Sequence, residues 1–365
     1  MKRIVVKIGS NLLAHDEEGL DMKRISSLSR DISELQDRGY DVVVVSSGAI
    51  AAGMRKLGLK TKPRDIKHKQ AVAAVGQSTL MWAYERSFAK WSKKVAQVLL
   101  TRDDFADRKR YINSKNTLLT LISYRVFPII NENDTVATDE IKFGDNDQLA
   151  SLVASLIEAE RLVILSDVDG LYTEDPKRSA EAKLIEYVEE ITPDIEDRAG
   201  GAGSGVGTGG MYSKVLAAKR AVNHGILVHI VSGRKEGILL GLMEGEKSGT
   251  LFKPKAEKLS SRKGWIAYGS RARGNLVLDE GAVRALVERG KSLLPSGIVA
   301  VEGEFDVGDA VYCVDGQGRR IAKGLTNYAS SEIMMIKGKK SSEIEAILGY
   351  KYSEEAIHRD NLVLL

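Results

Sequence analysis

IVVKI, residues 4–8, is the first of six short apolar runs, separated by helical patterns, that decide the fold of this chain. Uninterrupted apolar runs are typical of strands buried on both faces, and intervening helices make successive strands parallel. The sequence therefore predicts an open, mainly parallel α/β sheet with helices on both faces. The five later runs are VVVVS from Val42, AQVLL from Ala96, VFPII from Val126, LVILS from Leu162 and LVHIV from Leu227.

Small, charged or amide residues follow every run. Ligands of open α/β sheets bind beyond the carboxyl ends of the strands, so these residues are candidates for one polar site. Any single one would more often form a turn or a cap, but six such strand ends together indicate a site. They are Lys7, Gly9 and Ser10; Ser47 and Gly48; residues 101–104; residues 131–134; Ser166 and Asp167; and Ser232 and Gly233.

A glycine-rich loop, SGVGTGGMYSK at residues 204–214, precedes a predicted helix and places Lys214 in its first turn. Glycines let the backbone approach an anion, and the N–H groups and dipole of a helix N-terminus attract phosphate. The loop fits GxGxxG from Gly205, but no buried strand precedes it, and Met211 stands where a Walker A motif needs lysine. A flexible surface loop is the alternative, but the composition favours a phosphate site and a phosphoryl-transfer enzyme.

Composition excludes several classes of protein. With 365 residues and 43% hydrophobic content, the chain can bury more than one core. A single cysteine, Cys313, excludes internal disulfides and fits a reducing cytoplasm. No apolar run suits a signal peptide or a membrane span, and a net charge of +4 does not by itself indicate a nucleic-acid partner. We expect a cytoplasmic protein with no membrane partner.

The pattern changes after Leu251. Residues 254–263 are expected to form a basic linker between a first domain, residues 1–253, and a second, residues 264–365. The second domain has one predicted helix, at residues 279–290, and otherwise short alternating segments that predict a small, barrel-like β domain. Those segments are GWIAYG, GIVAVEGEF, DAVYCVD, RRIAKGL and EIMMIKG.

Several stretches resemble one family. The chain is similar to the glutamate 5-kinase family, a branch of the amino acid kinases with a C-terminal PUA domain, in VVKIGSNLL, VSSGAIAAGMRKLG, PIINENDTV, FGDNDQLA, LSDVDGLYTEDP and GVGTGGMYSKVLAAKRA. The motifs INENDTV, FGDND and SSGAIAAG are the more specific to the glutamate branch. Acetylglutamate, UMP and carbamate kinases share the sheet and stay open as alternatives. The PUA module is matched by EGAVRALVERGKSLLPSGIVAVEGEFDVGD.

The resemblance implies ATP-dependent phosphorylation of the side-chain carboxylate of glutamate, the first step of proline synthesis. This chemistry needs no general base, because a carboxylate with a pKa near ~4.3 is already an anionic nucleophile at neutral pH. The chain indeed holds only five scattered histidines and no recognisable triad. What remains is to align two anions and to neutralise the charge on the transferred phosphoryl group.

By family likeness, Lys7 binds phosphate, Gly9 and Ser10 supply backbone N–H groups, and Lys214 approaches from the other side. An unpaired ammonium in a buried strand is costly, so Lys7 should face either a carboxylate or a ligand. Asp147 is the candidate that holds both lysines in place. The catalytic residues are therefore expected to be Lys7, Asp147 and Lys214.

The likeness also assigns the two substrates. Ser47 and Gly48 open a helix and form a cradle for the α-carboxylate of glutamate. Asn-Asp pairs often form turns, and Asp145 also suits a helix N-cap, so those structural roles stay open. The candidates for glutamate are Ser47, Gly48, Asn133, Asp134, Asp145 and Asn146. The candidates for ATP are Lys7, Gly9, Ser10, Ser166, Asp167, Thr208, Gly209, Gly210, Met211, Tyr212, Ser213 and Lys214.

Other partners follow from the resemblance. Mg²⁺ should bind chiefly through ATP phosphate oxygens and water, so no protein metal ligand is named. Proline is the implied feedback inhibitor, the chain is expected to be a homo-oligomer (dimer or tetramer), and hand-over of product to the downstream reductase is a further expectation.

An RNA-binding protein is the rival class, since PUA domains elsewhere bind RNA. In its favour, residues 253–273 carry seven basic residues against Glu257 alone. Against it, residues 263–365 carry 14 basic and 14 acidic residues and no clear aromatic stacking series. RNA is disfavoured but stays open, as does a proline sensor without activity.

Overall fold

The chain divides into two compact units. One comprises Met1–Asp104 and Lys109–Lys258, and the other comprises Phe105–Arg108 and Leu259–Leu365. The computed structural model describes residues 2–14, 19–137, 146–176, 179–200, 210–254 and 261–365.

An eight-stranded sheet forms the core of the first unit. Its strands are β1 (Lys2–Ile8), β2 (Tyr40–Ser46), β3 (Lys94–Leu100), β4 (Val126–Glu132), β5 (Arg161–Ser166), β6 (Tyr187–Val188), β7 (Leu227–Ser232) and β8 (Thr250–Phe252). Their order is β3-β4-β2-β1-β5-β7-β8-β6, and each neighbouring pair is parallel except β7 with β8. The six apolar runs are thus confirmed as strands, and two short strands that the sequence did not indicate extend one edge.

Helices cover this sheet. Asp21 begins the second helix by accepting the N–H of Arg24 at 2.8 Å, and Gly39 follows its end in a left-handed conformation, φ 87°. No helix within the described ranges has both the length and the apolar character needed to cross a membrane. The helices are α1 (Ser10–Leu13), α2 (Met22–Asp37), α3 (Ala49–Lys56), α4 (Ile66–Ala89), α5 (Arg102–Ala106), α6 (Arg108–Ser123), α7 (Asn146–Leu156), α8 (Pro193–Arg198), α9 (Met211–Asn223) and α10 (Ile238–Met243).

Strand order sets the position of the site. The chain runs outward from β1 through β2 to β3 and β4 on one side, and β5 returns to pair with the other side of β1. The order reverses at β1, and a crevice forms beyond the carboxyl ends of strands at such a switch point. Lys7 therefore stands at the centre of the edge where ligands bind.

The second unit is built on a five-stranded sheet whose strands, in spatial order, are β10 (Ile298–Glu302), β9 (Ala272–Leu278), β11 (Ala310–Val314), β12 (Arg320–Leu325) and β13 (Leu362–Leu364). Its core contains Leu276, Val311, Cys313 and Tyr328, all fully buried. Burial raises the pKa of the Cys313 thiol to about 12, so this cysteine is an inert core residue. The elements are α11 (Ser261–Gly264), β9 (Ala272–Leu278), α12 (Glu280–Arg289), β10 (Ile298–Glu302), β11 (Ala310–Val314), β12 (Arg320–Leu325), α13 (Ser330–Ile336), α14 (Ile344–Leu348) and β13 (Leu362–Leu364).

Two of the expected strands in this unit are wrong. EIMMIKG lies in α13, where Ile333 and Ile336 are buried and the two methionines between them are exposed, the spacing of one helical face. GWIAYG forms a π-helical segment, Trp265–Gly269, that buries Trp265 and Ile266. Short apolar runs do not distinguish a strand from a helical turn, so the packing of the unit decides.

Candidate active site

Three charged side chains meet beyond the end of β1. Lys7 Nζ lies 2.5 Å from one carboxylate oxygen of Asp147, and Lys214 Nζ lies 3.1 Å from the other. All three are buried, with exposed fractions of 2% for Lys7, 0% for Asp147 and 6% for Lys214. They come from β1 and from the first turns of α7 and α9, so three elements that are distant in sequence fix one cluster.

Two buried ammonium groups share one carboxylate in this cluster. Buried ammonium groups are costly unless carboxylates or a bound anion compensate their charge. Asp147 supplies part of that compensation and fixes the geometry of both lysines. A cluster of this kind suits a phosphate group that gains negative charge during a reaction.

The turn after β1 brings the backbone close to β5. Gly9 N–H donates to the carbonyl of Leu165 at 3.2 Å, and a Cβ on Gly9 would lie 3.2 Å from that oxygen. Ser10 then begins α1, so this turn holds the backbone beside Lys7 with little room for a side chain. The structure thus places Lys7, Gly9 and Ser10 together at the end of β1.

Asp167 lies where β5 ends. Its carboxylate accepts a hydrogen bond from Asn11 Nδ2 at 2.9 Å and one from Ser166 Oγ at 3.3 Å. Partial burial acts to raise the pKa of Asp167, but the hydrogen bonds, chiefly that from Asn11, hold the pKa below its ordinary value. Asp167 is therefore an anionic acceptor at neutral pH. Asn11, which orients this carboxylate, was not among the candidate residues of the sequence analysis.

The start of α9 supplies a second row of candidate residues. Gly210 precedes the helix in an extended conformation and, as a glycine, provides no side-chain cap for the first N–H groups of α9. The first four helical residues are Met211, Tyr212, Ser213 and Lys214. Three of the expected site residues, Asp145, Thr208 and Gly209, lie outside the described residues.

The candidate glutamate cradle lies at the start of α3. Ser47 N–H donates to Ile8 O at 3.2 Å, and Gly48 adopts φ 108°, a conformation that favours glycine. The side chain of Asn146, in the first turn of α7, reaches this turn: its Nδ2 donates to Ser46 O at 2.6 Å and contacts Ser47 Oγ at 3.2 Å. Asn146, Ser47 and Gly48 thus lie together.

Asn133 and Asp134 follow β4 directly. Asn133 N–H donates to Leu100 O at 2.9 Å, and its Oδ1 accepts from Thr135 Oγ1 at 2.5 Å. Ala137 N–H donates back to the Asn133 carbonyl, so the segment is a tight turn as well as a candidate binding loop. Both readings of this Asn-Asp pair that the sequence left open are compatible with its position.

A chain of side-chain amides that the sequence did not indicate connects these elements. Asn131, at the end of β4 and buried, accepts from Asn146 Nδ2 at 2.8 Å and donates to Gln77 Oε1 at 2.8 Å. Ser46, whose carbonyl also accepts from Asn146, forms a hydrogen bond through its Oγ with the buried Tyr84 hydroxyl at 2.8 Å. Asn131 was one of the polar strand-end residues, but Gln77 and Tyr84 lie in the middle of α4, where no local pattern marks them.

Comparison with known proteins assigns the family. The amino acid kinase family matches residues 2–232, and the PUA domain matches residues 274–348. A glutamate 5-kinase from Syntrophotalea carbinolica is 54% identical over 364 residues, covering 100% of this chain and 97% of that protein. One from Caldanaerobacter subterraneus subsp. tengcongensis is 53% identical over 363 residues, covering 100% and 98%. The chain belongs to the glutamate 5-kinase family.

A solved structure supports the fold of this glutamate 5-kinase family member. Carbamate kinase from Giardia lamblia bound to AMP-PNP aligns with a TM-score of 0.51 at 19% identity, covering 70% of this chain and 99% of that one. At this identity the likeness concerns the fold alone. The family resemblance and the fold class expected from the sequence are confirmed.

Proposed function

We propose that the chain transfers the γ-phosphoryl group of ATP to the side-chain carboxylate of L-glutamate, giving L-glutamate 5-phosphate and ADP, the first step of proline synthesis from glutamate. The observation that carries the proposal is the buried cluster of Lys7, Asp147 and Lys214 in a chain of the glutamate 5-kinase family. Its position beyond the end of β1 is the switch point of the sheet.

The nucleophile needs no activation by a base. An oxygen of the substrate's side-chain carboxylate attacks the γ-phosphorus, and the bond from that phosphorus to the bridging oxygen breaks, leaving its electron pair on ADP. No proton moves in this step, because the carboxylate is ionised at neutral pH. The protein must hold donor and acceptor in line and stabilise the charge on the transferred group.

Lys7 and Lys214 supply that stabilisation. Asp147 fixes the two ammonium groups before substrate binds, so little reorganisation is needed when negative charge shifts toward the transferred oxygens. The burial of the cluster strengthens each of these interactions relative to water. Asp147 is therefore a positioning residue, and the two lysines are the catalytic residues.

ATP is proposed to lie across the ends of β1, β5 and α9. Gly9, Ser10 and the first N–H groups of α9 face its phosphates, and Ser166 and Asp167 hold the rest of the nucleotide. Within the described ranges no cluster of three or more His, Cys, Asp or Glu side chains is arranged to hold a metal ion. Mg²⁺ then enters on the phosphate oxygens of ATP, where it would neutralise their charge.

Glutamate is proposed to bind between α3, α7 and the turn after β4. The start of α3 receives the α-carboxylate, while Asp134 and Asn146 accept from the ammonium group. We infer that proline binds in the same pocket as a feedback inhibitor. A homo-oligomeric state, cytoplasmic location and hand-over of the product to a reductase complete the proposal.

A substrate comparison tests the proposed activity. The purified chain is incubated with ATP, Mg²⁺ and either glutamate, aspartate, acetylglutamate or UMP, and ADP release is measured. Of the four acceptors, we expect only glutamate to give ADP release above background. A higher kcat/KM with acetylglutamate or UMP would assign the chain to another amino acid kinase activity, and no release with any acceptor would overturn the proposal.

A further inference from the structure

Gln77 carries a buried hydrogen-bond donor that no described residue accepts. Its Nε2 is inaccessible to solvent and has no hydrogen-bond partner among the described residues, while its Oε1 accepts from Asn131 Nδ2. A buried amide donor without a partner loses its hydrogen bonds to water and gains none in return. Such a group in a native fold calls for a specific acceptor.

The orientation of this amide is fixed by the backbone. Glu132 N–H donates to Asn131 Oδ1 at 2.9 Å, which forces the Nδ2 of Asn131 toward Gln77 and the Oε1 of Gln77 toward Asn131. The NH₂ group of Gln77 therefore lies at the end of the row of amides formed by Gln77, Asn131 and Asn146. A flip of either amide would place two oxygens or two NH₂ groups together.

The hydrogen bonds of Asn146 orient the other end of this row of amides. Asn146 faces two acceptors, the Asn131 Oδ1 and the Ser46 carbonyl, so its Nδ2 must lie on that side. Its Oδ1 is then directed away from them. The chain of three amides is polarised, with an NH₂ donor on Gln77 at one end and a carbonyl acceptor on Asn146 at the other.

The donor end lies beside the start of α3. Gly76, the neighbour of Gln77, packs so closely on α3 that a Cβ there would lie 1.8 Å from Ala49 O and 2.4 Å from the Gly53 nitrogen. Ala49 is the first residue of α3 and directly follows the Ser47–Gly48 turn. The close approach of the two helices thus holds the backbone beside Gln77 against the start of α3, whose N–H groups are proposed to receive a carboxylate.

We propose that Gln77 is a specificity-determining residue, whose Nε2 donates a hydrogen bond to the α-carboxylate of the amino acid substrate while Asn146 Oδ1 accepts one from its ammonium group. The polarised amide chain then recognises both charges of the amino acid head group and leaves the side-chain carboxylate toward the lysines. This inference rests on the proposed function and adds the residue that selects a free α-carboxylate.

A substitution that introduces a negative charge tests the proposal. Gln77→Glu keeps the oxygen that Asn131 requires but replaces the donor by an anion, so the KM for glutamate should rise at least about tenfold with the KM for ATP unchanged. Both enzymes are then assayed with glutamate α-amide in place of glutamate as the phosphoryl acceptor. This compound retains the side-chain carboxylate. The preference of the wild type for glutamate over the α-amide should shrink or reverse in the variant, because a carboxamide can donate to the introduced carboxylate.

A second variant and an NMR signal distinguish loss of the hydrogen-bond donor from loss of folding. Gln77→Met, of similar size, removes the donor without adding charge and should raise the glutamate KM by about tenfold. In ¹⁵N-glutamine-labelled wild type, the side-chain resonance that is missing from Gln77→Met should shift when glutamate is added and stay in place with ATP alone. Gln317→Glu, in an exposed hairpin turn of the second unit, is the matched control and should behave as wild type.

The outcomes separate the two proposals. An unchanged glutamate preference and KM in Gln77→Glu, or an unmoved resonance, would mean that Nε2 binds only structural water, and would overturn the role of Gln77. A wild-type chain that does not phosphorylate glutamate would instead overturn the proposed function.

Discussion

Asp147 is the residue on which the electrostatics of the site depend. It is fully buried and contacts both Lys7 and Lys214, so its charge is compensated twice. Removing one partner of a buried ion pair is far more damaging than the pair is stabilising. The arrangement is therefore better explained by the need to hold two cations for a ligand than by a need for stability.

Asp134 tests the assignment of the substrate at the same scale. Because Asp134 is proposed to accept from the substrate ammonium, Asp134→Ala should raise the KM for glutamate by on the order of tenfold or more and leave that for ATP nearly unchanged. Steady-state titration of both substrates measures this. Inhibition by proline should weaken in parallel. A selective defect for ATP would reverse the assignment, and wild-type inhibition would place proline elsewhere.

The sequence indicated much of this site and missed part of it for a physical reason. Lys7 lies near the end of the first buried run, Ser47 and Asp167 directly follow two others, and the carboxyl ends of parallel strands meet at one edge. Gln77 lies within α4, and its proximity to α3 depends on helix packing between residues far apart in sequence. No local pattern carries that information, so the amide chain became visible only in the fold.

At the scale of elements, the contact between α3 and α4 positions the cradle. Gly53 and Gly76 form it: a Cβ on Gly53 would lie 1.9 Å from Val72 O. Since backbone cannot yield as a flexible side chain does, the helices must separate if either glycine is enlarged.

Gly76→Ala should therefore affect both stability and substrate binding. We expect a loss of roughly 1–3 kcal/mol in unfolding free energy and a raised glutamate KM, since α3 and Gln77 shift apart. Urea denaturation and titration of glutamate measure the two effects. Ala74→Ser, exposed on the same helix, should change neither. A Gly76→Ala chain with normal stability would show that the helices are not in close contact.

Strand β7 contains a histidine that makes stability depend on pH. Burial, aided by the nearby Arg161 charge, lowers the pKa of His229 from 6.5 to about 4. In the unfolded chain the imidazole has its ordinary pKa. Between pH 6.5 and 4 the imidazole is therefore protonated in the unfolded state and neutral in the folded state. Stability is unaffected above that pH and falls as pH decreases from about 6.5 to 4, by up to about 3 kcal/mol.

Replacement of His229 should remove that contribution. His229→Leu should show a shallower loss of unfolding free energy between pH 6.5 and 4 than the wild type, measured by chemical denaturation at several pH values. Equal slopes in the two chains would mean that the imidazole is protonated in the fold or that other groups dominate the acid transition.

At the scale of the whole molecule, the two units do not follow the chain in a simple order. Phe105–Arg108 belongs to the second unit although both flanking segments belong to the first. Within that second unit, Trp265 Nε1 donates to Phe105 O at 2.7 Å, and both residues are buried. The change in composition after Leu251 indicated a second domain. That Phe105–Arg108 belongs to the second unit could not be predicted, because four residues are too few to show a composition or periodicity of their own.

We propose that residues 1–253 nevertheless fold and act alone, because every residue assigned to a substrate lies among them. A chain ending at Lys253 should phosphorylate glutamate, with reduced solubility because Phe105 loses the cover of Trp265. Phe105→Ser in the shortened chain should restore solubility. Circular dichroism, sizing and the kinase assay check this, and a folded but inactive product would show that the PUA domain contributes to the active state.

We propose that two buried lysines, held by one aspartate, stabilise the transfer of phosphoryl to the carboxylate of glutamate. The most direct measurement traps the acyl phosphate with hydroxylamine and compares the kcat of hydroxamate formation in wild type, Lys7→Ala and Lys214→Ala, each shown to be folded. We expect γ-glutamyl hydroxamate from the wild type and a kcat lower by on the order of 10²-fold or more in each variant. A near-normal kcat in either folded variant would contradict the role of that lysine.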